Sequence, residues 1–169
     1  MSGPIVYEAR EIAKSSPEAP LVIVAIPTRG GAQGGPPIEF TISLLQMQPP
    51  LNVHMAYCIQ KGLLPAPARN AILETALKGG AAYVFFLDDD VLFPNMILYR
   101  LLTAARFHPE AGIISAVVPT KIEPCEPMLY VDQVSGAYWD WPLGALVPIE
   151  SAGAGAMLVN LAHVSNISR

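Results

Sequence analysis

The stretch Ala81-Ala82-Tyr83-Val84-Phe85-Phe86-Leu87 runs apolar and aromatic, then stops at three consecutive carboxylates, Asp88, Asp89 and Asp90. An apolar run of that length after the Gly79-Gly80 pair predicts a strand covered on both faces. Carboxylates are rarely buried without a partner, so the triplet has to stand where the strand leaves the core. In an open α/β sheet the carboxyl edge of the strands is where ligands bind. Three adjacent acids also repel one another, and a hard divalent cation shared with diphosphate oxygens relieves that repulsion. A solvated acidic turn is the plain alternative. Such turns rarely follow a long apolar strand and lead straight into a helix opened by proline, as Pro94 does here.

The rest of the chain alternates strand and helix signals around that stretch. Leu21 to Ile26 is a continuous apolar run broken at Pro27-Thr28-Arg29, and it reads as the first central strand. The Gly/Pro-rich loop that follows, to Pro37, has neither GxGxxG nor a terminal Lys-Ser/Thr, which disfavours a dinucleotide site or a P-loop. Ile38 to Gln48 has helical periodicity and ends at Pro49-Pro50, and Val53, Met55, Tyr57 and Ile59 share one face of a second strand, with His54 opposite. A helix opening at Pro65 and closing before Gly79-Gly80 holds Arg69 and Asn70 in its first turn. That turn favours an anion, and Arg69 equally suits pairing with one of the three acids.

Pro94 to Phe107 predicts a helix with Ile97, Leu98, Leu101, Leu102 and Ala105 buried, and Ala111 to Val118 a further strand. From Thr120 to Pro148 the periodicity is lost, with short strands expected at Met128 to Val131 and Ala145 to Ile149. The aromatics of this region, Tyr130, Tyr138, Trp139 and Trp141, suit a sugar-stacking wall or core filling beneath a long loop. The small residues Gly153, Ala154 and Gly155 form a turn that lets a backbone come close, ahead of an apolar segment to Asn160. His163 reads as a residue on a helix face.

Residues 1–20, with a short helix expected over Tyr7 to Lys14, read as a leader, and 21–169 as one domain of α/β class with a mainly parallel sheet. At 169 residues, 52% hydrophobic and 14% charged, the chain has enough apolar mass for one core. A net charge of -4 argues against nucleic acid as a partner. No apolar run is long enough to span a bilayer and the first 20 residues lack a signal core, so a cytoplasmic location is expected. Cys58 and Cys125 have no metal-ligand spacing and read as reduced thiols.

Taken together, Ile26-Pro27-Thr28-Arg29, Ala68-Arg69-Asn70, Phe86-Leu87-Asp88-Asp89-Asp90-Val91 and Gly153-Ala154-Gly155-Ala156-Met157-Leu158 resemble the GT-A glycosyltransferases, nearest the family 2-like inverting enzymes. The resemblance runs from residue 21 to residue 160. It implies a Rossmann-like three-layer α/β/α sandwich, with a nucleotide-binding half over 21–118 and an acceptor-side half over 119–169. It also implies that Pro27, Thr28, Arg29, Arg69, Asp88 and Asp89 bind a UDP- or GDP-linked sugar. Asp88 and Asp90 would ligate Mn²⁺ or Mg²⁺, and Gly153, Ala154 and Gly155 would border the donor sugar and the acceptor.

The activity so implied is metal-dependent transfer of a sugar to an acceptor hydroxyl. One departure stands against it: family members continue past the Gly-Ala-Met-Leu segment to an acidic motif that supplies the general base, and this chain stops before that point. Of the acids after the triplet, Asp132, Asp140 and Glu150 come nearest that segment and none has the expected position, so no catalytic residue is assigned. A non-catalytic nucleotide-sugar-binding module is therefore the alternative. A phosphatase-like reading of the triplet fits poorly, because those enzymes place it after the first strand and here two strands precede it. An incomplete sheet edge would invite pairing with a second copy.

Overall fold

The computed structural model describes residues 5–8, 18–29, 36–132 and 134–164. In chain order the elements are β1 (Ile5–Glu8), β2 (Leu21–Thr28), α1 (Ile38–Gln46), β3 (His54–Lys61), α2 (Pro65–Lys78), β4 (Tyr83–Leu87), α3 (Ile97–Phe107), β5 (Ile113–Ser115), β6 (Leu129–Tyr130), β7 (Ser151–Ala152), β8 (Ala156–Asn160) and α4 (Leu161–Val164). One sheet has the order β1-β3-β2-β4-β8-β5, and β6 and β7 pair separately. β3, β2 and β4 are parallel neighbours. β8 runs antiparallel to both β4 and β5, so β5 again points the same way as β4. The sheet is thus mainly parallel in strand direction, with β8 reversed inside it and β1 reversed at one edge.

The continuous apolar strands follow from what covers them. In β2, Val22, Val24 and Ile26 enter one core while Ile23 and Ala25 enter a second. β4 repeats the division, sending Phe85 and Leu87 one way and Val84 and Phe86 the other. The first core takes Phe40 from α1 and Ile97, Leu98, Leu101, Leu102 and Ala105 from α3. The second takes Ile72 and Ala76 from α2, with Leu161 from α4. A strand with both faces buried has no reason to alternate apolar with polar residues. β3 does alternate: Ala56, Cys58 and Gln60 are buried, while Met55, Tyr57 and Ile59 are half-buried against the first core. Burial pushes the Cys58 thiol up to about 11.

Several local expectations are corrected. Tyr7 and Glu8 lie in β1 and not in a helix, and residues 9–14 fall outside the described residues. The helix expected from Pro94 begins at Ile97, after a turn closed by the Ile97 N–H to the Pro94 carbonyl at 3.0 Å. The strand expected over Ala111 to Val118 is only Ile113–Ser115. At its end the Ser115 hydroxyl bonds the Gly153 carbonyl at 2.8 Å and the Ala116 N–H donates to the Ala156 carbonyl at 2.9 Å. After that the chain leaves β8, and the Val118 carbonyl accepts from the Met128 N–H instead. No strand forms over Ala145 to Ile149, where Pro148 removes a ladder donor. Ser151–Ala152 pairs with Leu129–Tyr130 instead.

Candidate functional site

The carboxyl ends of the parallel strands come to one rim. Thr28 stands opposite Lys61 at the ends of β2 and β3, and Ala25 opposite Phe86 brings the end of β4 to the same edge. Because β8 is reversed, its start reaches that rim, with Ala156 opposite Leu87. The Asp88 N–H then donates to the Gly155 carbonyl at 3.0 Å, so the acidic triplet and the small-residue turn are directly bonded. A Cβ added at Gly155 would lie 2.9 Å from Val91 Cγ2 and 3.3 Å from Val118 Cγ1. At Gly153 it would lie 2.8 Å from Met128 Cε. Close approach, and not backbone freedom, is what these two glycines provide.

Arg69, expected in the first turn of α2, projects from the residue just after that turn and bonds Asp88 Oδ1 through an Nη2 donor at 2.5 Å. Its guanidinium carbon lies 6.0 Å from the centre of the buried Phe86 ring. Its Nε is buried and has no hydrogen-bond partner among the described residues. Partial burial raises the Asp88 pKa, the Arg69 charge and hydrogen bond oppose that rise, and Asp90 and Asp89 add to it by repulsion. Asp90 is paired with Lys121, which reaches it from the loop after β5. Among the described residues, Asp89 has no ion pair.

The helix supplies less than its position promises. Pro65 and Pro67 carry no N–H, so of the first three residues of α2 only Ala66 offers a backbone donor. The cationic character of this corner comes from the Arg69 side chain more than from the helix end.

Of the residues expected at the site, Arg69, Asp88, Asp89, Asp90 and Gly155 are brought into one constellation. Pro27 is buried and Thr28 half-buried at the end of β2, on the same rim. Arg29 follows them, is exposed, and has no ion pair among the described residues. Gly153 and Ala154 are half-buried just upstream of Gly155. Among the described residues no three His, Cys, Asp or Glu side chains are grouped so as to hold a metal ion unaided. The triplet does offer hard carboxylate oxygens, which suit Mg²⁺ or Mn²⁺ when substrate oxygens complete the shell.

Two residues at this rim went unread in the sequence. Gln60 is 2% exposed, its amide nitrogen donates to the Lys61 carbonyl at 3.0 Å, and its Oε1 has no partner among the described residues. The alternation Ala56, Cys58, Gln60 is the signal that exposes it. Lys121 has no such signal, because its loop has no periodicity.

Beside β5 a cleft of about 600 Å³ opens between Ile113, Ser115, Leu146, Glu150, Ala152 and Met157. Trp139 is 56% exposed and Tyr130 and Trp141 half-buried, and the Tyr138 hydroxyl donates to the Asp140 carbonyl at 2.9 Å. Asp132 is occupied in its own turn, accepting from Val134 and Ser135. The His163 ring nitrogen Nε2 lies 2.9 Å from the Pro109 carbonyl oxygen, away from the triplet. No described helix is long and apolar enough to cross a membrane.

No family model matches this chain, and no curated protein matches it in sequence. The crystal structure of A197 from STIV is similar, with a TM-score of 0.59 at 16% identity, over 89% of this chain and 69% of that one. At that identity the likeness is one of fold.

Proposed function

We propose that the chain is a metal-dependent glycosyltransferase that moves a sugar from a nucleoside-diphosphate sugar to an acceptor hydroxyl. The observation that carries the reading is the joint one at the rim. A buried strand delivers three carboxylates to the carboxyl edge of a mainly parallel sheet, with Arg69 against the first of them and a forced-small turn against their backbone. The reading takes the sheet with its two cores as a GT-A-like three-layer α/β/α sandwich. It also takes the protein to be cytoplasmic and capable of pairing with a second copy along a sheet edge.

In this reading Pro27, Thr28 and Arg29 line the nucleoside, and Asp88 and Asp89 accept its hydroxyls. Arg69 exchanges a carboxylate for a diphosphate oxygen, an exchange that suits its planar fork. Asp88 and Asp90 would hold Mn²⁺ or Mg²⁺, whose chemistry is to neutralise charge growing on the departing diphosphate. Gly153, Ala154 and Gly155, the two glycines packed close against Met128, Val91 and Val118, would border the donor sugar, and the cleft beside β5 gives an acceptor a path towards them. The acceptor hydroxyl has to lose its proton to a base, and no described residue is assigned that task.

That gap favours the second reading, a nucleotide-sugar-binding module without transfer, since Asp132 is engaged in its own turn. Thermal melts with UDP and GDP, each with and without Mn²⁺, test the first step shared by both readings. Stabilisation that needs nucleotide and metal together, and is lost in Asp90→Ala, is expected. No shift with either nucleotide at millimolar concentration would remove both readings. Donor turnover that disappears in Asp90→Ala would select the enzyme.

A further inference from the structure

We infer that Lys121 is a built-in counter-cation of the acidic triplet, one that divalent metal displaces from Asp90 and that then binds the donor's diphosphate. The inference rests on the reading of this rim as a diphosphate and metal site. Its starting observation is the Lys121–Asp90 ion pair, which joins residues on different elements. Glu123 and Glu126 are closer to Lys121 along the chain, yet neither pairs with it. The ammonium thus bypasses the acids of its own loop for the more distant one at the rim.

The loop is made to hold that position. Pro119 and Pro127 are bridged, the Met128 N–H donates to the Val118 carbonyl at 2.9 Å, and the Thr120 N–H donates to the Glu126 carbonyl at 2.7 Å. The Thr120 hydroxyl accepts from the Glu126 N–H at 3.0 Å and donates to the Ile122 carbonyl at 3.3 Å. The legs of the loop are buried at Val118 and Leu129, each 6% exposed. Val118 also packs where a Gly155 side chain would be. The base is therefore fixed to the small-residue turn, and the lysine stem, at 63% side-chain exposure, has solvent to swing in.

Electrostatics decide what such an ammonium does. Without ligand, Arg69 and Lys121 stand against three carboxylates, and the rim stays close to balance. A divalent cation arriving at Asp90 competes with the ammonium for the same oxygens. A diphosphate arriving with it brings fresh anionic oxygens within a lysine's reach, and lysine is a common phosphate ligand. Metal alone should therefore bind against Lys121, and metal with nucleotide should bind with its help.

The test uses Mn²⁺ titration followed by electron paramagnetic resonance, and calorimetry with UDP and GDP in the presence of Mn²⁺, on wild type, Lys121→Met and Lys121→Gln. Lys78→Met, an exposed lysine at the far end of α2, is the control. Unchanged melting temperatures of the free proteins establish that each variant folds. Expected is Mn²⁺ binding about two- to fivefold tighter in both Lys121 variants, the scale of an exposed ion pair. Nucleotide binding in the presence of Mn²⁺ should be about tenfold weaker, the scale of a lost charge-assisted hydrogen bond. Wild type that binds both ligands while the variants match it overturns the inference and leaves the function standing. Tighter Mn²⁺ with undiminished nucleotide affinity overturns the transfer to phosphate. If wild type binds neither, the function and this inference fall together.

Discussion

Asp88 is half-buried, with one oxygen against a guanidinium, and two effects compete there. Desolvation and the neighbouring acids favour the protonated form, while Arg69 favours the ionised one. Removing the cation leaves the cost of the charge uncompensated. Arg69→Met is therefore expected to destabilise by about 1–2 kcal/mol, below the full cost of breaking a deeply buried pair because both partners keep some water. Asp88→Asn in the Arg69→Met background should recover part of that loss, with a coupling energy of about 0.5–1.5 kcal/mol from a urea-unfolding double-mutant cycle. Strict additivity would mean that the pair is a geometric coincidence. This contact was legible in the sequence, because the start of a helix and the end of a strand both open on one sheet edge. The Lys121 contact was not, since nothing in an aperiodic loop says which acid a lysine will reach.

The elements were easiest to read where burial imposes a period. β2 and β4 are continuous apolar runs because both faces are covered, and α3 shows its buried stripe residue by residue. Reading failed where a ladder ends without a break in the apolar run, as it does just after Ser115, and at Pro148, which cannot donate. The segment just ahead of β8 was read as a small-residue turn and is one, and the closeness of Gly155 to Val91 and Val118 gives the reason. Gly155→Ala should cost about 1–3 kcal/mol, since the new methyl meets two packed valines rather than a flexible side chain. Adding Val91→Ala should return part of that loss. A shift in the denaturation midpoint at unchanged slope is the measurement, and wild-type stability in Gly155→Ala would show that the turn can yield.

Across the whole molecule the sheet is shared by two cores, and adjacent aromatics on one strand belong to different ones. Phe85, 0% exposed, faces α3, whereas Phe86, 1% exposed, faces α2 and the Arg69 guanidinium. Each truncation to alanine should cost about 3–5 kcal/mol. Both variants should still unfold in one transition by far-ultraviolet circular dichroism and by tryptophan fluorescence, because neither core has a sheet of its own. Non-coincident probes in either variant would mean that the two faces are separable. The reversed strand has a further consequence, for the order of assembly. Among the described residues β5 is hydrogen-bonded to the sheet only through β8, which the ribosome makes some forty residues later. Until that late segment is threaded between its neighbours, the earlier strand has no berth in the sheet and the acids have no backing wall. Nascent chains of this protein must therefore hold an apolar edge open and waiting, the interval in which a holdase chaperone is of most use.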